Sequence, residues 1–156
     1  LKLRDLAREC DIALGTLYNY YPTKDSLVLD VVQQFWQNCF HQKTFPEGNV
    51  LVKLDWLYAM MKQSIDEFSA EFLHAASGLS PAALEEAKTR ELRAQTHLTR
   101  QLALALQTSF PDETEEQLNE RAAFLFTSLL GCLENRGYQY SSLRRWLEAS
   151  LSHPSK

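Results

Sequence analysis

Apolar residues recur at three- and four-residue spacing along nearly the whole chain, and that period predicts helices throughout. Leu3, Leu6, Ala7 and Cys10 make the first stripe. Asp11 interrupts it, and Asp tolerates the bent or left-handed backbone that a turn needs. Ile12 is expected as a buried anchor after that turn. Leu17 and Tyr21 then share the apolar face of a second short helix, which Pro22 ends. Thr23 is the expected N-cap of a long helix reaching about Lys43. Its stripe of Leu27, Val28, Val31, Val32, Phe35, Trp36, Cys39 and Phe40 is wide enough to imply burial against more than one neighbour. Two short helices joined by a tight turn form a helix-turn-helix, whose second helix can enter a DNA major groove.

Thr44 to Val50 contains Pro46, Gly48 and Asn49 and reads as a loop, the best boundary between expected domains 1–43 and 44–156. Leu51 to about Ser77 is expected as a helix apolar on more than one side, with a break possible near Ser69–Glu71. Ser77 to Pro81 is a stop and restart, with Ser80 as N-cap and Pro81 at the first helical position. The next helix runs over 82–109 with Leu84, Leu92, Leu98, Leu102 and Leu106 as apolar markers. Another covers 113–135, its stripe formed by Leu118, Ala122, Leu125, Phe126, Leu129 and Leu133, with Gly137 as C-cap. Ser141 or Ser142 is expected to cap a last short helix bearing Leu143, Trp146, Leu147 and Leu151, and the tail from Ser152 to fray. No strand-like alternation, internal repeat or low-complexity segment interrupts the pattern. The fold class is all-α.

At 156 residues the chain is long enough for one or two domains with a sizeable core. No apolar run approaches the ~20 residues of a membrane span, and no signal peptide is visible. Cys10, Cys39 and Cys132 are widely spaced and read as buried small hydrophobes, which points to a reducing cytoplasm. The net charge of −4 argues against a protein coated in nucleic acid. Over residues 1–43, however, Lys2, Arg4, Arg8, Lys24 and Lys43 balance Asp5, Glu9, Asp11, Asp25 and Asp30. The acidic excess lies in the remainder, so a small basic surface near the start is compatible with local phosphate binding.

The run Arg4-Asp5-Leu6-Ala7, Asp11-Ile12, Ala13-Leu14-Gly15-Thr16-Leu17-Tyr18-Asn19-Tyr20-Tyr21-Pro22-Thr23-Lys24 and Leu27 resembles the TetR family of transcriptional regulators. That family's pattern is an Arg-Asp-Ile-Ala run, a Gly-Val turn, then Ser-x-Gly-Thr-Leu-Tyr-x-Tyr-Phe-x-x-Lys-x-x-Leu. The resemblance covers about the first fifth of the chain. Asp11 stands where the pattern has the turn glycine. Ala13 replaces the capping hydroxyl, which weakens the start of the second helix by about 1 kcal/mol. The resemblance implies a helix-turn-helix DNA-binding domain followed by a helical effector-binding and dimerisation domain. It also implies a preceding helix over Leu3, Leu6, Ile12 and Leu17. The given sequence, which opens on Leu1, lacks that helix, so residues 1–22 are expected to pack poorly or be displaced.

Thr16, Tyr18, Asn19 and Tyr20 crowd the second helix with groups that can reach phosphates or base edges. Leu14 and Gly15 lie at its groove-entering end, where Leu14 could touch a thymine methyl. By resemblance, Arg4 is a base or phosphate contact and Lys24 a phosphate contact. Trp56, Met60, Met61, Phe68, Phe72 and Phe124 read equally as a plain helical core or as the adaptable wall of a ligand pocket. The resemblance implies an effector pocket here, with His97 and Gln101 as polar candidates. His41, His74 and His153 read as surface or satisfied histidines. Gly131, inside a helix, suggests a close helix–helix approach. By resemblance the last two long helices pair with their copies in a second subunit. Phe126, Leu129, Leu130, Leu133, Trp146 and Leu147 would supply the apolar surface there, the alternative being that they close the chain's own core. No metal site, cofactor site or catalytic constellation is recognisable. The chain therefore reads as a dimeric, non-enzymatic, cytoplasmic regulator, a repressor released from operator DNA by a small molecule. The alternative is a helical ligand-binding or interaction module without a DNA role.

Overall fold

The computed structural model describes residues 2–152, and every regular element among them is an α-helix. In chain order these are α1 (Leu3–Glu9), α2 (Leu14–Tyr20), α3 (Lys24–Phe40), α4 (Val50–Glu71), α5 (Leu73–Ser77), α6 (Pro81–Leu106), α7 (Glu115–Leu133) and α8 (Tyr140–Ser152). The expected frayed tail beyond Ser152, with His153, lies outside the described residues.

Local chemistry sets most boundaries. Thr23 caps α3 in a reciprocal box with Ser26, and Thr114 caps α7 in the same way with Gln117. Ser80 accepts the Ala83 N–H at the start of α6. The helix expected to reach Ser77 breaks at Phe72 into α4 and α5, next to the break foreseen near Ser69–Glu71. The C-terminal signal of α7 is Asn135 rather than Gly137. Asn135 has φ 53°, its N–H donates to the Cys132 carbonyl, and the Arg136 N–H reaches back to the Gly131 carbonyl. Gly137, also at positive φ, lies in the loop beyond. Ser141 and Ser142 fall inside the first turn of α8 instead of capping it.

The chain forms two compact units, divided differently from the expected 1–43 and 44–156. One holds the stretch ending at Gln42 together with Ser64–Ala94. The other holds Lys43–Gln63 and the stretch from Gln95. The reason is apolar contact: Val28 and Leu29 of α3 are buried with Leu79 and Ala83. In the first unit a separate cluster of Leu3, Ala7, Leu17 and Leu27 closes α1 and α2 onto the start of α3. The described part of 1–22 is thus not displaced, because Leu27 covers Leu3, Ala7 and Leu17. Ile12, expected as a buried anchor, is 41% exposed, and Cys10 is exposed as well.

In the second unit Leu54, Leu57, Leu102, Leu106 and Leu129 are fully buried. Lys53 is buried too. Its ammonium donates to the Ala105 carbonyl and the Thr108 hydroxyl, both at 2.7 Å, where α6 ends. A cation there suits the negative end of the helix. The expected α6 markers Leu84 and Leu92 are exposed, so the early part of its stripe is not core.

Candidate nucleic-acid interface

The turn between α1 and α2 is built by Asp11. Its φ of 51° is left-handed; its N–H donates to the Arg8 carbonyl at 3.2 Å, and the Ile12 N–H reaches the Ala7 carbonyl at 3.0 Å. These two bonds close α1 as a Schellman motif with aspartate in the position that glycine favours. Ala13, in extended backbone, then precedes α2 with no side chain able to cap it.

α2 is seven residues long and carries no charged side chain. Leu17 is its one buried residue. Leu14 and Tyr21 are half-buried against the Leu3, Ala7, Leu17 and Leu27 cluster. Leu14 is therefore turned partly inward. The remaining candidates face outward: Gly15, Thr16, Tyr18 and Asn19 are exposed, and Tyr20 is 76% exposed. Among the described residues, none of the side chains of 14–20 makes a hydrogen bond, so Thr16, Tyr18, Asn19 and Tyr20 keep their donors and acceptors free. Arg4 is exposed on α1. Lys24 is half-buried, and its ammonium lies 3.9 Å from where a Cβ on Gly78 would sit, so it is folded back toward the end of α5.

Two features of this unit carry no sequence signal. Tyr21 donates its hydroxyl to Asp30 of α3 at 2.8 Å, and Gln34 donates to the same carboxylate oxygen at 3.3 Å. The hydrogen bond to Asp30, assisted by burial, raises the Tyr21 pKa above the ordinary tyrosine value. Asp25 in the first turn of α3 accepts the Ser80 hydroxyl at 2.5 Å, tying α6 to α3.

The residues nominated for an effector are divided between the two units. Phe68 and Phe72 belong to the first unit, where they form an aromatic group with Phe35 and Trp36. Trp56, Met60 and Met61 belong to the second; both methionines are buried, and Trp56 lies against Phe45. His97 and Gln101 are exposed, and Phe124 is 64% exposed, so none of the three points into an interior cavity. A cleft of about 510 Å³ in the second unit is lined by Asn49, Val50, Leu51, Ser109, Phe110, Glu148, Leu151 and Ser152, none of them nominated.

The expected interface residues divide as well. Phe126 and Leu129 are buried within their own unit, on the inward face of α7 with Ala122, Leu125 and Cys132. They offer no surface to a partner. Leu130, Leu133 and Leu147 are half-buried, and Trp146 is 73% exposed. The space beside Gly131 is taken by the Tyr138 hydroxyl of the same chain, which donates to the Ser128 carbonyl at 3.1 Å. The expected helix–helix approach is thus a helix–tyrosine approach.

α8 is anchored by a polar group that carries no sequence signal either. Arg144 donates from Nε to both Asp55 oxygens, at 2.9 and 3.1 Å, and the Tyr140 hydroxyl donates to Asp55 at 2.5 Å. Tyr140 also stacks on Tyr58, centroids 4.0 Å apart. Burial pushes the Asp55 carboxyl up, but the hydrogen bonds from Arg144 and Tyr140 outweigh it and hold the pKa below the usual aspartate value. Burial, then the bond to Asp55, pushes the Tyr140 phenol up.

Among the described residues no cluster of three or more His, Cys, Asp or Glu side chains could hold a metal, and no helix is long and apolar enough to cross a membrane. No protein-family model matches this chain, and no curated protein is significantly similar to it.

Proposed function

We propose that this chain is a DNA-binding transcriptional regulator that reads duplex DNA with α2. The supporting observation is the face of that helix. Leu17 and Leu14 hold it inward, while Thr16, Tyr18, Asn19 and Tyr20 stand outward with free hydrogen-bonding groups and no negative charge. Such a face suits base edges and phosphate oxygens, and exposed Arg4 on the preceding helix adds a cation for the backbone. Homodimeric operation places two copies of α2 on two half-sites. Exposed Trp146, with half-buried Leu130, Leu133 and Leu147, is the apolar surface for it in the second unit. Release by a small-molecule effector, and action as a repressor, enter through the resemblance to TetR regulators. The division of the nominated effector residues between the two units adds nothing to that part.

The test is selection from a randomised duplex pool, followed by salt-series titration on the selected and a scrambled duplex. Thr16→Ala should cost about 1–3 kcal/mol on the selected duplex and much less on the scrambled one. Arg4→Ala should weaken both and lower the salt slope by about one ion if it holds a phosphate. Failure to enrich any sequence would overturn the reading and favour a helical interaction module.

A further inference from the structure

We infer that Tyr21 is a positioning residue: its hydroxyl, bound to Asp30, fixes the C-terminal end of α2 on α3 so that the exposed face of α2 is presented in one orientation. The inference rests on the proposed role of α2 in reading DNA. It begins from how little else holds that helix. Seven residues are well short of the ~12–15 at which an isolated helix becomes even marginally stable. Ala13 cannot cap its N-terminus, and its uncharged sequence allows no ion pair along its length. Its order comes from tertiary anchors.

Those anchors are mostly non-directional. Leu17 is buried, with Leu14 and the Tyr21 ring packed beside it, and apolar contact of this kind resists withdrawal more than it resists rotation. The Tyr21 hydroxyl adds direction. It donates at 2.8 Å to the carboxylate of Asp30, two turns into α3. Thr23 and Ser26 cap α3 between the two residues, so the acceptor stands on a well-started helix. Gln34 donates to the same Asp30 oxygen and restricts its rotamer. The raised Tyr21 pKa agrees with a phenol that keeps its proton for that carboxylate. The resembled pattern has Phe at this position, so the hydroxyl is an addition to the packing role of the ring.

The experiment uses the full chain with Tyr21→Phe, which keeps the ring, and Asp30→Asn, which keeps an acceptor. Gln34→Met serves as a control that touches Asp30 without touching α2. Amide exchange in α2 should speed up about tenfold in Tyr21→Phe, the change expected for one hydrogen bond to a carboxylate. It should speed up less in Asp30→Asn and little in Gln34→Met, with α6 exchange unmoved. On the selected duplex, Tyr21→Phe should lower the ratio of selected to scrambled affinity roughly three- to tenfold at an unchanged salt slope, since phosphate contacts are kept. Unchanged α2 exchange in Tyr21→Phe overturns the inference. Faster exchange with undiminished selectivity overturns it too, leaving the bond a stabilising one only. If the wild-type chain selects no duplex, the DNA reading falls and the positioning role falls with it, and the exchange rates then decide only whether the Tyr21–Asp30 bond holds α2 on α3.

Discussion

Replacing Asp11 with glycine should stabilise the α1–α2 turn, against the usual direction of a glycine substitution. Asp11 sits at φ 51°, where an L-residue carries a Cβ–carbonyl clash of roughly 1–2 kcal/mol, at the lower end for aspartate. Asp11 also places a negative charge just beyond the negative end of α1, unfavourable by a further ~0.3 kcal/mol when exposed. Against these gains, glycine adds about 0.4–1 kcal/mol of unfolded-chain entropy. The balance favours Asp11→Gly by about 0.3–0.9 kcal/mol. Both hydrogen bonds of the turn come from backbone N–H groups and survive the change. Because the chain forms two compact units, amide exchange at Ile12, whose N–H closes the turn, reads the effect more directly than global unfolding. The expectation is exchange slower by roughly two- to fivefold, the factor that such a free energy implies. Asp11→Ala keeps the clash and should exchange faster than wild type. If Asp11→Ala matched Asp11→Gly, the left-handed backbone would carry no side-chain cost, and the argument would be wrong.

Lys53→Ala should lower the urea midpoint by the equivalent of about 2–3 kcal/mol, and Lys53→Met by less, since Met keeps the buried stem while both leave the Ala105 carbonyl and Thr108 hydroxyl without their donor. Gly131→Ala should be close to neutral in thermal melts, because about 1 kcal/mol of helix propensity is offset by displacing the Tyr138 hydroxyl; in a Tyr138→Ala background the same substitution should stabilise by about 1 kcal/mol. Asp55, held below the usual aspartate pKa, contributes stability that is fully present above its unfolded value and lost as pH falls through its folded one. An acid titration of α8 exchange rates should therefore show α8 loosening below about pH 4 in wild type, with that limb absent in Asp55→Asn.

Helices were legible in the sequence because their information is local. The period of Leu27, Val28 and Phe35, the Thr23 cap and the Ser80-Pro81 restart each act within one or two turns of where they are written. What covers an apolar stripe is not local. Leu129 and Trp146 both read as helix-face hydrophobes, yet one is fully buried and the other 73% exposed. The C-terminal end of α7 was ambiguous for a different reason: Asn135 and Gly137 both adopt positive φ, and only the bond from Arg136 to the Gly131 carbonyl selects between them.

The same distinction explains why the α2 face was readable while its supports were not. Thr16, Tyr18, Asn19 and Tyr20 lie within five consecutive positions, so their crowding shows in the sequence itself. Tyr21 and Asp30 stand on different helices, and Asp55 meets Tyr140 and Arg144 from the far end of the chain. Their pairing depends on how helices pack, which no periodicity encodes. The face also looks different once its supports are known. A short helix without cap or charge gains little order from its own residues, so the groups that would select a base sequence depend on side chains that touch no base. Substitutions at Tyr21, Asp30 or Asp11 should then alter recognition as surely as substitutions at Thr16, but through orientation instead of direct touch. That difference is measurable on the proposed DNA reading: truncating Thr16 should relax preference at one base pair, whereas freeing the helix at Tyr21 should relax it across the whole selected site.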